Sequence, residues 1–191
     1  MENNPIDTFF NSFNFSETEK LKMLELNLFK TITKGTILIN EGDFPKHNFI
    51  VIKGSLREYR IKDGMEKTIE FYVEEDAIFS ESTFNGKPSE SYLVSETDCI
   101  LLRSSEKEEH IFRTNFPRID SFCNSFIKKE VIKRQSKYSN YSISNPEERY
   151  LNILQNKPYL LQRFSQYHIA SYIGIKPESL SRIKKRISKI S

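Results

Sequence analysis

The sequence predicts an α+β fold with an N-terminal antiparallel β-roll, a long connecting helix and a small C-terminal helix-turn-helix domain. Five of the six glycines fall between residues 35 and 86, where they separate short β-prone segments. A helical stretch follows, from about residue 105 to 138. Residues 164–187 then read as two short helices that meet at Gly174. These three observations define the order of the elements.

The N-terminal part contains one predicted helix and several strands. Ser16-Glu-Thr-Glu19 has the pattern of a capping box and opens a helix through about Leu28. Asp63-Gly64 lies between two alternating runs and is a strong hairpin signal. The β-prone runs are 36–39, 49–52, 56–61, 68–73 and 99–102. Short strands with regular turns indicate a small antiparallel barrel or jelly roll.

The middle of the chain combines an apolar stripe with a polar hinge. Ile119, Phe122, Cys123, Phe126 and Ile127 lie at helical spacing. The pattern leaves open whether this stripe packs on the chain's own β-roll or on a partner subunit. The polar segment 139–145 predicts a hinge, after which Pro146 opens a helix over 147–155. We therefore expect two domains, 1–138 and 139–191.

The C-terminal segment has the local signals of a helix-turn-helix. Ser165 is a predicted N-cap, and Gly174 suits a left-handed residue after the first helix. Pro177 is tolerated at the first position of the second helix. The inward positions are Ile169, Ala170, Ile173, Leu180, Ile183 and Ile187.

The opposite face of the second helix is polar and basic. Arg182 suits guanine and Glu178 suits cytosine, whereas Ser165, Gln166, Ser179, Lys184 and Lys185 suit phosphates. We expect DNA to be bound mainly through the helix predicted over 177–189. The predicted DNA-contacting set is Ser165, Gln166, Lys176, Glu178, Ser179, Ser181, Arg182, Lys184 and Lys185. Taken alone, the pattern also fits an ordinary helix pair with a solvated basic face.

The charge distribution favours a partner that is a polyanion. Residues 1–127 hold 15 Lys/Arg and 22 Asp/Glu, a net charge of −7, whereas residues 128–191 hold 14 and 4, a net charge of +10. An acidic front joined to a basic tail is typical of a sensor domain linked to a nucleic-acid-binding domain. Such binding depends strongly on salt.

Several other classes of protein are disfavoured. The sequence has no apolar run long enough for a membrane span, and its first residues lack a signal-peptide pattern, so we expect a cytoplasmic protein with no membrane partner. The two cysteines, Cys99 and Cys123, are too few for an iron–sulfur cluster, and the three histidines are scattered. No metal, cofactor or catalytic constellation is expected, so we predict that the chain is not an enzyme.

The order of elements resembles the Crp/Fnr family of bacterial transcription regulators, whose sensor has the cyclic-nucleotide-binding fold. The likeness is carried by residues 34–43, 49–55 and 169–187. It implies a homodimer, formed through the long helix, that binds promoter DNA and acts with RNA polymerase. It also implies a winged domain, and because 158–163 is short for the family's β-wing, we expect a reduced wing. Pro177 occupies a position of the recognition helix that is often arginine in this family.

The resemblance also locates an effector pocket. Cyclic-nucleotide-binding members carry a Gly-Glu pair and a later Arg-Ser/Thr pair, whose arginine binds the cyclic phosphate. The pocket positions here are Ser80, Glu81, Ser82, Ser89, Glu90, Ser91, Arg134 and Gln135. Ser80 replaces the glycine and Glu90 the arginine, and a carboxylate facing a phosphate would be a buried, unpaired charge. We therefore expect no tight binding of cyclic AMP and leave the effector unassigned.

A second class of function is a regulatory module that acts on a protein partner, as β-roll domains do in kinases and channels. The basic C-terminal segment argues against it.

Overall fold

The computed structural model describes residues 4–79 and 86–188, apart from the side chains of residues 138, 140 and 142. The N-terminal helices are α1 (Pro5–Ser12) and α2 (Glu17–Glu25). The strands are β1 (Phe29–Ile32), β2 (Ile37–Ile39), β3 (His47–Lys53), β4 (Leu56–Lys62), β5 (Met65–Tyr72), β6 (Ala77–Ile78), β7 (Tyr92–Ser95) and β8 (Cys99–Ser105). The later helices are α3 (Glu106–Asn115), α4 (Ile119–Ile143), α5 (Pro146–Asn156), α6 (Tyr159–Arg163), α7 (Gln166–Ile173) and α8 (Pro177–Ile187).

The strands form the predicted antiparallel β-roll. One sheet has the order β1-β8-β3-β6 and the other β2-β7-β4-β5. Buried side chains from both sheets, including Val51, Leu56, Tyr72 and Leu101, form the core of the roll. The Asp63-Gly64 hairpin is confirmed: Asp63 has φ 54° and Gly64 has φ 71°, as a two-residue turn with two left-handed positions requires.

The N-terminal helices cover one end of the roll with an aromatic cluster. The Ser16–Glu19 capping box is present, but α2 ends at Glu25, because Asn27 takes a left-handed conformation with φ 49°. Phe9 and Phe10 of α1 are buried beside the apolar side of α4. The stripe on α4 therefore packs on its own chain: Ile119, Phe122 and Cys123 belong to this cluster, and the Phe126 ring lies 5.4 Å from that of Phe13. Ile127 is 37% exposed.

The predicted single helix from 105 to 138 is wrong at both its middle and its end. It is interrupted between α3 and α4, where Pro117 supplies no backbone N–H for a continuous helix. The second part continues to Ile143, so the predicted hinge at 139–145 shrinks to Ser144 and Asn145. A reason for the extension is that Tyr141 packs against Arg149 of α5, with the guanidinium carbon 3.5 Å from the ring centroid. Asn145 then caps α5.

After α4, the described part of the chain consists of helices joined by short turns. The expected reduced wing is wrong for residues 158–163, which form the short helix α6, and residues 146–188 contain no strand. Pro158 stands at the N-cap of α6 with φ −59°, a value that suits the start of a helix. None of the described helices is both long and apolar enough to cross a membrane.

Candidate nucleic-acid interface and cavity

Helices α7 and α8 follow each other across a short turn at Gly174, as the sequence predicts. The Ser165 hydroxyl accepts a hydrogen bond from the His168 backbone N–H at 3.2 Å, and Pro177 occupies the first turn of α8. Gly174 has φ 81°, and a Cβ there would lie 2.6 Å from the Tyr141 hydroxyl. The positive φ favours glycine at this turn, and a Cβ would also displace the Tyr141 side chain. The predicted inward residues Ile169, Ala170, Ile173, Leu180 and Ile183 are buried, and Ile187 packs against them.

The predicted DNA-contacting residues lie at the N-terminus of α7 and along α8, which ends at Ile187 with Ser188 as its C-cap; residue 189 lies outside the described part. Ser179 is half-buried, and the other eight are exposed. Lys184 donates a hydrogen bond to the Gln166 side chain at 3.0 Å, which joins the two helices. Within the described residues, Glu178, Arg182 and Lys185 form no ion pair. Although Glu178 and Arg182 are four residues apart on one face of α8, they do not pair with each other, and both side chains are available to a ligand.

Arg186 has a different role from its neighbours on α8. Its guanidinium forms an ion pair with Glu147 of α5. This ion pair connects the end of α8 to the start of α5. We therefore assign Arg186 a role in stabilising the packing of these two helices and not in contacting DNA.

The C-terminal helices pack directly on strand β5 of the roll. Phe71 belongs to the same buried cluster as Ile169, Ile173 and Leu180. The centroid of its ring lies 4.0 Å from that of Phe164 and 5.0 Å from that of Tyr172. The roll thus completes the core of the C-terminal domain.

Polar contacts fix the same junction. The Ser171 hydroxyl accepts from the Thr68 N–H at 2.9 Å and donates to the Glu66 carbonyl at 3.2 Å, so α7 adds to the edge of β5. Glu70 accepts from Lys137 at 2.9 Å and from the Tyr172 hydroxyl at 3.4 Å. Burial alone would raise the pKa of the Glu70 carboxyl, but Lys137 and Lys133 outweigh it and hold this pKa below its usual value.

A second charged cluster lies at the other side of α7. Arg57 is 4% exposed and pairs with Glu66 and Glu96, and the His168 ring approaches Glu96, with the Nε2 atom 3.8 Å from the carboxylate. Burial, followed by the charge of Arg57, lowers the pKa of His168, although Glu96 and Glu66 oppose this. His168 is therefore favoured in its neutral form when α7 is docked.

A cavity of about 660 Å³ lies where the roll, α4 and α7 meet. Ser171, Tyr172 and Gly174 of the helix-turn-helix contribute to its wall, so an occupant would contact both domains. Four of the predicted pocket residues line it: Ser89, Glu90, Ser91 and Arg134. Gln135 is exposed on α4 and does not line it. Ser80, Glu81 and Ser82 lie outside the described residues.

The cavity wall carries both carboxylates and cations, namely Glu58, Glu70, Glu90 and Glu130 together with Arg60, Lys67, Lys87, Arg134 and Lys137. Glu58 accepts hydrogen bonds from the Tyr72 hydroxyl at 2.7 Å and the Ser91 hydroxyl at 2.6 Å. Burial raises the pKa of Tyr72 well above its ordinary value, so it stays a hydrogen-bond donor. Glu130 pairs with Arg134 at 2.8 Å. These groups make the cavity polar on the side of β4 and α4.

Glu90, the residue at the position of the family's arginine, lies at the protein surface and is paired. Its side chain is 70% exposed and forms an ion pair with Arg60 at 2.7 Å at the mouth of the cavity. Because the carboxylate is at the surface, both solvent and the guanidinium of Arg60 stabilise its charge. Arg60 lies on β4, thirty residues before Glu90 in the chain, and is not among the pocket positions that the family resemblance predicts.

Sequence reasoning missed several cavity residues, above all Glu58, Tyr72, Lys137 and Tyr172. Alternation along β4 and β5 was the available signal, since it separates the two faces of each strand. It does not identify the strand faces that meet α4 and α7. Among the described residues, no three His, Cys, Asp or Glu side chains form a group suited to a metal ion.

Residues 29–113 match the cyclic nucleotide-binding domain family. No curated protein matches the chain by sequence.

Solved structures of transcription regulators share its fold. The c-di-GMP-responsive global regulator CLP of Xanthomonas campestris is 19% identical, with 88% of this chain and 92% of that chain covered and a TM-score of 0.67. A variant of CooA from Carboxydothermus hydrogenoformans is 14% identical, with 100% and 86% covered and a TM-score of 0.72. A protein of Eubacterium rectale described as a transcriptional regulator of the Crp/Fnr family is 17% identical, with 92% and 84% covered and a TM-score of 0.65.

Proposed function

We propose that this chain, which has the fold of the Crp/Fnr transcription regulators, is itself a regulator that binds promoter DNA as a dimer through α8. In this proposal, residues 1–138 form the sensor domain with its long helix and residues 139–191 the DNA-binding domain. RNA polymerase is the expected protein partner, and the cytoplasm the expected location.

The observation that carries the proposal is the exposed polar face of α8. Glu178 and Arg182 are four residues apart and free of ion pairs within the described part of the chain. Arg182 can donate two hydrogen bonds to the O6 and N7 atoms of guanine, and Glu178 can accept one from cytosine N4. Lys185 lies one turn from Arg182 and suits a phosphate, which positions the domain without selecting a sequence.

Dimer formation through α4 is supported by its exposed apolar side chains. Val131 is 58% and Ile132 63% exposed, and Ile127 lies one turn before Val131. Because Phe122 and Phe126 already pack on the aromatic side chains Phe9 and Phe13 of the N-terminal segment, the remaining face is the one left for a partner helix. A two-fold axis along α4 would present two copies of α8 to two half-sites.

We infer further that the cavity is not adapted to cyclic AMP. Glu58, Glu70 and Glu130 line it, and the position expected to carry the phosphate-binding arginine is Glu90. Their carboxylates disfavour a phosphate next to them, and the cations Arg60, Arg134 and Lys137 of the wall are already paired with Glu90, Glu130 and Glu70. The contact of the cavity with Ser171 and Tyr172 offers a route from an occupant to the DNA-binding domain, whatever the chemistry of that occupant.

Fluorescence anisotropy with labelled genomic DNA fragments, measured across a salt series, tests the function. We expect saturable binding whose association constant falls steeply with salt, because lysine and arginine side chains displace counterions from DNA. The alternative is a regulatory module acting on a protein partner. It is favoured if DNA binding is absent at low salt and a protein partner is retained regardless of salt.

A further inference from the structure

We propose that a second, smaller cavity between the β-roll and the junction of α3 with α4 is a binding site for a small neutral molecule with an apolar body and one hydrogen-bond donor. The proposal goes beyond DNA binding and concerns a different cavity from the one shared with α7. Three features support it: the volume of the cavity, its mostly apolar wall, and a buried hydrogen-bond acceptor that has no partner among the described residues.

The cavity has a volume of about 150 Å³ and a mostly apolar wall. Side chains from β3, β8 and both helices contribute to it, among them Ile50, Leu102, Phe112, Ile119 and Phe126. Apolar cavities of about this size, lined by leucine, isoleucine and phenylalanine, stay dry and bind benzene. The dimensions therefore suit a single aromatic ring or a short branched chain.

One polar group in the wall lacks a partner. The Asn48 Nδ2 atom donates to the Glu109 carboxylate at 3.0 Å, and this fixes the orientation of the amide, because a carboxylate only accepts. The Asn48 Oδ1 atom is left buried, without a hydrogen-bond partner among the described residues. Leaving a buried acceptor unpaired is unfavourable, so a ligand that donates a hydrogen bond here gains affinity.

The charged groups at the cavity edge favour a neutral ligand. Glu109 already accepts from Asn48 and, at 2.8 Å, from the Ser104 hydroxyl. The Glu108 carboxylate accepts hydrogen bonds from the backbone N–H and hydroxyl of Ser105, the N-cap of α3, and Arg113 pairs with Asp120 at 2.7 Å. An ammonium entering the apolar part of the cavity would lose its hydration.

Toluene and benzyl alcohol, which differ by one hydroxyl, are the probes for the test. Both are titrated into the isotopically labelled full-length chain, and amide chemical shifts report the site and the dissociation constant. We expect both to shift amides around Leu102 and Ile119, with benzyl alcohol binding about three to ten times more tightly. Absence of shifts with both probes, or shifts confined to other regions, would overturn the site.

The Asn48→Leu variant separates the apolar body from the donor. It should bind toluene as before and lose the preference for benzyl alcohol, whereas Asn115→Leu, at the exposed end of α3, should keep that preference. Equal binding of the two probes by the unmodified chain refutes the role of Asn48 without any variant. Tighter binding of benzylamine than of benzyl alcohol would overturn the assignment of a neutral ligand.

Discussion

The rings of Phe71 and Phe164 have centroids 4.0 Å apart, so a strand of the β-roll supplies a side chain to the core of the helix-turn-helix domain. Phe71 is 3% exposed and also contacts Tyr172. The two domains therefore share a core, and a change on β5 reaches α7 through direct contact.

Replacing Phe71 tests this shared core. Phe71→Ala should lower the free energy of unfolding by about 3–5 kcal/mol, the usual cost of removing a buried phenylalanine. Urea unfolding measures the loss, and hydrogen exchange should show weaker protection of α7 amides. Phe44→Ala is the control, because Phe44 is 61% exposed and its loss should cost less than about 0.5 kcal/mol. Unchanged α7 protection in Phe71→Ala would contradict the shared core.

His168 predicts a dependence of stability on pH. Burial lowers its pKa from the ordinary value of 6.5, so the folded protein binds this proton less readily than the unfolded chain. The resulting stability is present above pH 6.5 and is lost as the pH falls through the lowered pKa of the folded state. His168→Gln should flatten the decline in the free energy of unfolding below pH 6.5.

The comparison is best made in a His47→Gln background, since burial also lowers the pKa of His47. His110→Gln is the control, because His110 is exposed on α3. An equal slope in His168→Gln and in the control would show that His168 does not contribute.

Three substitutions on α8 test the assigned contacts. Arg182→Ala should weaken specific binding by about 1–3 kcal/mol and relax the preference at one base pair, because a bidentate base contact is lost. Lys185→Ala should weaken binding to all sequences similarly and reduce the salt slope by about 1. Arg186→Ala, which breaks the pair with Glu147, should leave base preference unchanged. Equal losses on specific and random DNA for Arg182→Ala and Lys185→Ala would refute the separate roles.

Cyclic AMP should bind weakly. The carboxylates around the cavity, Glu58 among them, disfavour a phosphate, so isothermal titration should give no dissociation constant in the micromolar range or below. Glu90 lines the cavity, and Glu90→Arg restores the residue type expected from the family, so this variant should bind cyclic AMP more tightly than the unmodified chain. A micromolar or tighter constant for the unmodified chain would contradict the interpretation of the cavity.

Val131→Glu should weaken the proposed dimer. A charge in the centre of an apolar helix seam has to be desolvated without a partner, which opposes association. Analytical ultracentrifugation should show a shift toward monomer, whereas Leu21→Glu should not, because Leu21 is a similarly exposed residue on α2, 59% against 58% for Val131. A monomeric unmodified chain, or a dimer that Val131→Glu leaves intact, counts against α4 as the seam.

Local signals predicted much of the fold. The Ser16 capping box, the Asp63-Gly64 turn, and the Ser165, Gly174 and Pro177 signals are each set by neighbours within a few residues, and the structure confirms all of them. The apolar spacing continues on both sides of residues 116–118 and so predicts one uninterrupted helix, although Pro117 marks the break between α3 and α4. The end of α4 was missed because the Tyr141–Arg149 contact depends on how α5 packs.

The candidate site could be predicted only in part. The exposed face of α8 follows from helical periodicity, so its residues were identifiable. The docking of Phe71 against Phe164 joins residues far apart in the chain, as does the pairing of Glu90 with Arg60. A single sequence carries no direct sign of such contacts, which arise from the packing of one domain on another.

Selection of binding sites from a random DNA pool by the full-length chain is the most direct measurement of the central claim. The account predicts enrichment of a two-fold symmetric site whose half-sites are about one helical turn apart, with binding that weakens steeply as salt increases. Arg182→Ala should change the enriched sequence at a single position in each half-site. No enrichment over the starting pool at low salt would contradict the proposal that this chain reads DNA.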